Sequence, residues 1–206
     1  MESVSAAVDG GAGLTGFVFF PPSPRFLAPA SAAALARLVP EGVLKVGLLV
    51  DAADAFIDAI LAAVSLDLLQ FHGKESPERV AAVKARFGLP VMKAVAISGH
   101  AELRAARDYE AIADRLLFDA MPPKDATRPG GNALTFDWEL LKGATWNCPW
   151  MLAGGLDASN VAEAVRVSGA SAVDVSSGVE VAPGVKNVEK IKSFLAAARP
   201  EADHAK

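Results

Sequence analysis

Short apolar runs of strand length recur along the chain, with helical stretches between them. Seven are visible: 16–20, 45–50, 66–71, 91–95, 115–119, 149–153 and 172–176. Most lack strict apolar/polar alternation, which is how strands covered on both faces read, and their spacing suits right-handed βαβ units. Phe56, Ile57, Ile60, Leu61 and Val64 repeat at three-to-four spacing, as do Val161 with Val165, and Val188, Ile191 and Leu195. Each set marks a helix with an apolar stripe to lay on a sheet. Ser76-Pro77 supplies an N-cap and a proline at the first helical position, and Gly88 stands where a left-handed C-terminal residue belongs. Residues 2–8 read as a helix ended by the Gly10-Gly11-Ala12-Gly13 cluster. The expected fold class is α/β, a (β/α)8 TIM-type barrel. A closed barrel takes eight strands, so the first strand is expected to be missing from this chain, upstream of Met1. Residues 1–199 are expected to form one domain, and Pro200 to Lys206 a polar tail.

Composition narrows the class of protein. With 206 residues and 52% apolar content the chain can fill a substantial core. A net charge of −4 without a basic stripe argues against nucleic acid as a partner. Cys148 is the only cysteine, which excludes an internal disulfide and a Cys-based zinc site and suits a reducing cytoplasm. No apolar stretch approaches the roughly 20 residues that span a bilayer. The expectation is a cytoplasmic protein, monomer or homodimer, with no metal or cofactor and no membrane partner.

The strand ends carry the chemistry. Trp150-Met-Leu-Ala-Gly-Gly-Leu156 and Val173-Asp-Val-Ser-Ser-Gly-Val-Glu180 are consecutive strand-to-loop turns rich in small residues. In a parallel barrel the last two such loops present backbone N–H groups to a phosphomonoester, and small residues let the backbone approach. Gly154, Gly155, Ser176 and Ser177 are the candidate phosphate-binding residues, unless the glycines merely shape tight turns. Asp119 ends an apolar strand at the catalytic address of such barrels, where a partly shielded carboxyl can act as general acid near neutral pH; a capping role is the alternative.

Arg25 follows a strand in a loop stiffened by three prolines and is a candidate clamp for a carboxylate through two parallel hydrogen bonds, against the plain reading of a solvated arginine. Asp174 either points at ligand or pairs with a buried donor. His72 closes its strand and either lines the pocket or is a capped structural group. The loop 121–132 is long and rich in Pro and Gly, with Gly130-Gly131 as a hinge for a segment that covers substrate. Cys148 precedes its strand, at the non-catalytic face. Metal-ligand clusters, dinucleotide or nucleotide loops and Ser-His-Asp arrangements do not appear.

As an ordered set, Gly16-Phe-Val-Phe-Phe-Pro-Pro-Ser-Pro-Arg25, Gln70-Phe-His-Gly73, Leu117-Phe-Asp119, Gly130-Gly131 with Phe136-Asp-Trp138, Leu152-Ala-Gly-Gly155 and Asp174-Val-Ser-Ser-Gly-Val-Glu180 resemble the phosphoribosylanthranilate isomerase family. The resemblance runs from about Glu2 to Arg199. It implies a (β/α)8 barrel that converts N-(5-phosphoribosyl)anthranilate to 1-(2-carboxyphenylamino)-1-deoxyribulose 5-phosphate in tryptophan biosynthesis, without a cofactor. It implies Asp119 as the acid that opens the ribose ring, Arg25 at the anthranilate end, and phosphate at Gly154-Gly155 and Ser176-Ser177. The family's general base is a cysteine ending the first strand in a Lys-Ile-Cys-Gly type motif. That motif is not in this sequence, and Met1-Glu-Ser-Val4 resembles the opening of the helix that follows it.

Two other readings compete. Indole-glycerol-phosphate synthase would need catalytic lysine and glutamate at several strand ends, whereas Lys93 is the only lysine inside a visible strand. A truncated or degenerate barrel would bind a sugar phosphate without turning it over.

Overall fold

A computed structural model describes residues 1–199 apart from Lys124 and Thr127; the expected tail at 200–206 lies outside the described residues. The chain runs α1 (Glu2–Asp9), β1 (Leu14–Val18), α2 (Pro29–Ala36), β2 (Leu44–Leu49), α3 (Asp54–Ala63), β3 (Leu68–Phe71), α4 (Pro77–Phe87), β4 (Val91–Ile97), α5 (His100–Ala106), β5 (Arg115–Ala120), β6 (Trp150–Leu152) and α6 (Val161–Ser168). A hairpin of β7 (Glu180–Ala182) and β8 (Val185–Lys186) precedes the last helix, α7 (Val188–Ala197). The sheet order is β1-β2-β3-β4-β5-β6, every pairing parallel. Six strands are therefore shown where seven were expected. The run 172–176 joins the sheet through a single bridge, Leu152 to Val173, with Leu152 N–H donating to Ala172 at 3.0 Å and Asp174 N–H to Leu152 at 2.8 Å. Among the described residues its other edge pairs with no strand, and Ser176 already leaves the extended region (φ −124°, ψ −77°).

Alternation along the strands sorts the side chains into two layers. Phe17, Leu49, Leu69, Phe71, Val91, Ile97, Leu116, Phe118 and Leu152 face the helices in the main core. Val46, Leu68, Met92, Ala94, Leu117, Met151 and Ala153 form a second cluster on the concave face. Continuing that inward register toward the C-terminal ends brings up Val50, His72 and Asp119. The helix signals hold at α4, where Ser76 Oγ accepts Arg79 N–H at 3.3 Å and Gly88 is left-handed at φ 67°. Helix α2 was not legible: its PASAAALA sequence is apolar all round and offers no stripe. Helix α1 packs on α7, and Arg199 Nη2 donates to the Gly10 carbonyl at 2.9 Å. Among the described residues no helix is long and apolar enough to cross a membrane.

Lys93 is the exception in the helix-facing layer. Its ammonium lies 2.9 Å from Glu75 Oε2 and donates to the Gly73 carbonyl at 2.7 Å, with the two side chains 4% and 2% exposed. Glu75 also accepts the Asp51 N–H at 2.8 Å and the Gly73 N–H at 3.0 Å. One buried ion pair thus ties the loops after β2 and β3 to the middle of β4. Removing one partner of a buried pair leaves an uncompensated charge and costs about 3–5 kcal/mol. Glu75→Gln should therefore lower the unfolding free energy by about that much in urea titrations, and adding Lys93→Met should recover part of the loss. A single variant as stable as the wild type would show that the pair does not anchor these loops.

Candidate active site

The pocket opens at the C-terminal ends of the strands and is lined by Val18, Phe20, Arg25, His72, Asp119, Arg128, Gly130, Gly131, Gly154, Gly155, Asp174, Ser176 and Ser177 among others. Every candidate named from the sequence is in that lining. Cys148 lies outside it, just before β6, and burial with nearby Glu110 and Asp114 pushes its thiol upward.

Asp119 is 6% exposed; Oδ1 accepts the Ala120 N–H at 2.8 Å and Oδ2 lies 3.1 Å from His72 Nε2. Gln70 fixes the other side of the imidazole. Its amide nitrogen points at Met92 Sδ (3.2 Å), which turns its oxygen to His72 Nδ1 at 3.3 Å. The imidazole is thus held between Gln70 and Asp119, and which of its nitrogens donates follows from its tautomer. Gly130 covers it: a side chain there would meet His72 Nε2 at 2.7 Å and Asp119 Oδ2 at 2.8 Å, so the loop after β5 can close on the pair only as glycine.

Arg25 does not offer the free fork expected from the sequence. Its Nε and Nη2 donate to the two oxygens of Glu180, each at 2.7 Å, with side chains 9% and 4% exposed. Burial alone would raise Glu180, but the hydrogen bonds and charges of Arg25 and Lys186 override it and hold its carboxyl below the usual range. Lys186 lies 2.9 Å from Glu180 and donates to the Ser176 carbonyl at 2.7 Å; burial lowers its ammonium despite Glu180. The hairpin that brings Glu180 and Lys186 to the rim was not read from the sequence. Its Ala-Pro-Gly turn was the available signal, with Gly184 left-handed against the Pro24 carbonyl. Arg128 was also missed, because nothing in a Pro/Gly-rich loop says which charge turns inward.

At the other side, Gly154 (φ 90°) and Gly155 (φ 60°) both have the left-handed backbone that glycine permits, so the tight-turn reading is correct as far as it goes. A Cβ on Gly154 would lie 2.6 Å from the Ala120 nitrogen. Among the described residues, the N–H groups of Gly154, Gly155 and Ser176 donate to no backbone carbonyl. Asp174 faces this group of residues, and its carboxyl is pushed upward by burial first and by Asp119 second, against smaller pulls from His72 and Lys186.

The six-stranded parallel sheet with its helices is an α/β fold of TIM-like type, with the pocket at the C-terminal ends of the strands. The chain belongs to the phosphoribosylanthranilate isomerase family: the family model described as N-(5'phosphoribosyl)anthranilate (PRA) isomerase matches residues 1–197. The N-(5'-phosphoribosyl)anthranilate isomerase of Paramagnetospirillum magneticum is 58% identical over 198 residues, covering 96% of this chain and 92% of its own. The crystal structure of phosphoribosyl anthranilate isomerase from Thermotoga maritima superposes with a TM-score of 0.84 at 34% identity, covering 96% and 93%. A phosphoribosyl anthranilate isomerase in complex with reduced 1-(o-carboxyphenylamino)-1-deoxyribulose 5-phosphate superposes with a TM-score of 0.79 at 31% identity, covering 96% and 92%.

The raised Asp174 carboxyl has a consequence for stability. The folded state holds that proton more tightly than the unfolded chain, so the folded state loses ground as pH rises from about 4, the unfolded value, through the raised one. Asp174→Asn should remove this slope. Urea midpoints measured from about pH 4 to about pH 8 should fall less for the variant, which should match or exceed the wild type at the alkaline end. Parallel curves would mean that Asp174 is ionised as readily in the pocket as in the unfolded chain.

Proposed function

We propose that the pocket carries out the isomerisation for which the family is named, the rearrangement of N-(5-phosphoribosyl)anthranilate to 1-(2-carboxyphenylamino)-1-deoxyribulose 5-phosphate in tryptophan biosynthesis. The observation that carries this reading is the buried Asp119–His72 contact at 3.1 Å, in a pocket that the glycine turns and two arginines also line. Asp119 gives its proton to the ribose ring oxygen. The C1–O bond breaks as the anilino nitrogen lone pair forms the C1=N bond of a protonated Schiff base. Loss of the C2 proton then yields an enolamine, and its tautomerisation gives the ketone. His72 keeps Asp119 oriented and supplied with a proton, and Asp174 bounds the ribose. Arg25, held by Glu180, flanks the anthranilate end with its remaining Nη1 hydrogens. The free N–H groups at Gly154, Gly155 and Ser176, with Ser177, seat the phosphate.

This reading takes residues 1–199 as one barrel domain in a cytoplasmic enzyme, monomer or homodimer, with no nucleic-acid or membrane partner and no cofactor. It also takes the gap between β1 and the 172–176 run as the position of one further parallel strand, whose C-terminal residue would reach the pocket. The resemblance assigns the general base to a cysteine at that position. A second reading, a barrel that binds the sugar phosphate without turnover, is favoured by one observation: the lone thiol among the described residues, Cys148, is not in the pocket. Turnover of phosphoribosylanthranilate by the purified 206-residue chain decides between the two.

For a form that turns over, Asp119→Asn should lower kcat by about a hundredfold or more, since general acid catalysis contributes about 10²–10⁴ in rate. Affinity for the reduced product analogue should stay close to that of the wild type. A near-normal kcat would remove Asp119 from the mechanism.

The phosphate seat predicts that inorganic phosphate raises the thermal midpoint, and that Ser177→Asp, which sets a negative charge in the seat, abolishes the gain while leaving the phosphate-free midpoint near that of the wild type. Equal protection of both proteins would put the phosphate elsewhere.

A further inference from the structure

The cations at the rim outnumber the carboxylates that hold them. Arg25 and Lys186 both pair with Glu180, which neutralises one of the two charges. Arg128 adds a third cation and the second guanidinium of the pocket lining, and among the described residues no carboxylate pairs with it. Among the described residues its Nη2 reaches the Gly131 carbonyl, at 3.3 Å, and its Nε is buried without an acceptor. A buried charged donor left without an acceptor is costly unless something else supplies one. The Gly131 oxygen also takes Arg25 Nη2 at 3.4 Å, so the two arginines converge on one carbonyl. That carbonyl belongs to the segment that lies over His72 and Asp119. Arg128 therefore stands beside Arg25 at the segment that covers the pair, while a Cβ on Gly155 would meet the backbone of Leu134 at 2.7 Å.

We propose that Arg128 is the specificity-determining residue for the carboxylate of the anthranilate ring, binding it through the vacant Nε–H and a neighbouring Nη–H. The inference rests on the substrate reading given above and sharpens it: the fork that Arg25 would have offered is taken by Glu180 at 2.7 Å, whereas Arg128 has no carboxylate among the described residues and its Nε–H no acceptor there. A planar guanidinium matches a carboxylate through two parallel bonds. The substrate carries its two anionic groups at opposite ends, so a phosphate seat at the glycine and serine turns and a carboxylate seat at Arg128 would hold the ribose between them, over Asp119.

The test uses binding to the full chain, which needs no turnover. Titration calorimetry would compare reduced 1-(o-carboxyphenylamino)-1-deoxyribulose 5-phosphate with the phenylamino analogue that lacks only the carboxyl. Wild type should prefer the carboxylated ligand by about ten- to a hundredfold, the range of a charge-assisted bond. Arg128→Met should lose most of that preference by weakening the carboxylated ligand alone, and Arg128→Lys, which keeps the charge but not the fork, should fall between. Unfolding midpoints of the variants report folding separately. Equal weakening of both ligands by Arg128→Met, or no weakening, overturns the assignment while leaving the pocket reading intact. Failure of the wild type to bind either ligand overturns the pocket reading and this assignment with it.

Discussion

The parallel ladder from β1 to β6 sets everything that happens at the rim. Because each strand pairs with its sequence neighbour in the same direction, every strand-to-helix loop emerges at one end, and residues far apart in sequence meet there. The register decides which side chain arrives. Phe118 pairs with Val95 and Leu152, is fully buried toward the helices, and packs on Trp146 and Trp150 at ring separations of 4.7 and 5.5 Å. Asp119, the next residue, must then face inward. A slip of one position would drive the carboxyl into the aromatic layer and the ring into the pocket, so the hydrophobic cost of misplacing Phe118 fixes the direction of Asp119. The same alternation sets His72 inward behind Phe71 on β3, and the two meet at 3.1 Å although 47 residues separate them.

Polar groups on the outer side keep that rim in place. Lys93 is buried on the helix side of β4 because Glu75 and the Gly73 carbonyl are there to receive it, and through them it holds the turn that immediately follows His72. Glu180 plays a comparable part at the other end of the pocket, fastening the proline-rich loop of Arg25 to the hairpin of Lys186. A carboxylate shared by two cations stays ionised even when buried, which is why Glu180 lies low while Asp174, facing Asp119 with its cations farther off, lies high. The two acids near one pocket are thus driven apart, Asp174 upward by burial first and Asp119 second, and Glu180 downward by the two cations that hold it against its own burial.

Much of this was legible in the sequence, and the exceptions have physical reasons. The six strands and helices α1, α3, α4, α6 and α7 were visible through period and punctuation, and Asp119, His72 and the glycine turns through their place at strand ends. Helix α2 was hidden by its uniform alanine content. The pairing of Arg25 was hidden because Glu180 is 155 residues away, and no local pattern says that a fork is already occupied. Arg128 was hidden in an irregular loop, where direction is set by tertiary packing rather than by period. Sequence reading therefore found which groups stand at the rim and missed which of them hold each other.

The incomplete closure of the sheet bears on the chemistry through backbone geometry. Phe19 N–H donates to Leu48 and Leu44 N–H to the Gly13 carbonyl, so the odd-numbered residues of this segment face β2; Leu14 and Gly16 turn their backbone groups the other way, and on that side the Val18 carbonyl accepts the Leu27 N–H at 2.9 Å. On the far side Ala172 and Asp174 face β6, and Val173 and Val175 turn away. The ladder ends at β1 on one side and, through the single bridge at Val173, at the 172–176 run on the other, while α1 packs on α7. Val18 from one end and Val175 with Ser176 from the other line the same pocket. The first and last members of the ladder therefore deliver backbone to one wall, and the site depends on both ends of the sheet rather than on its middle strands alone.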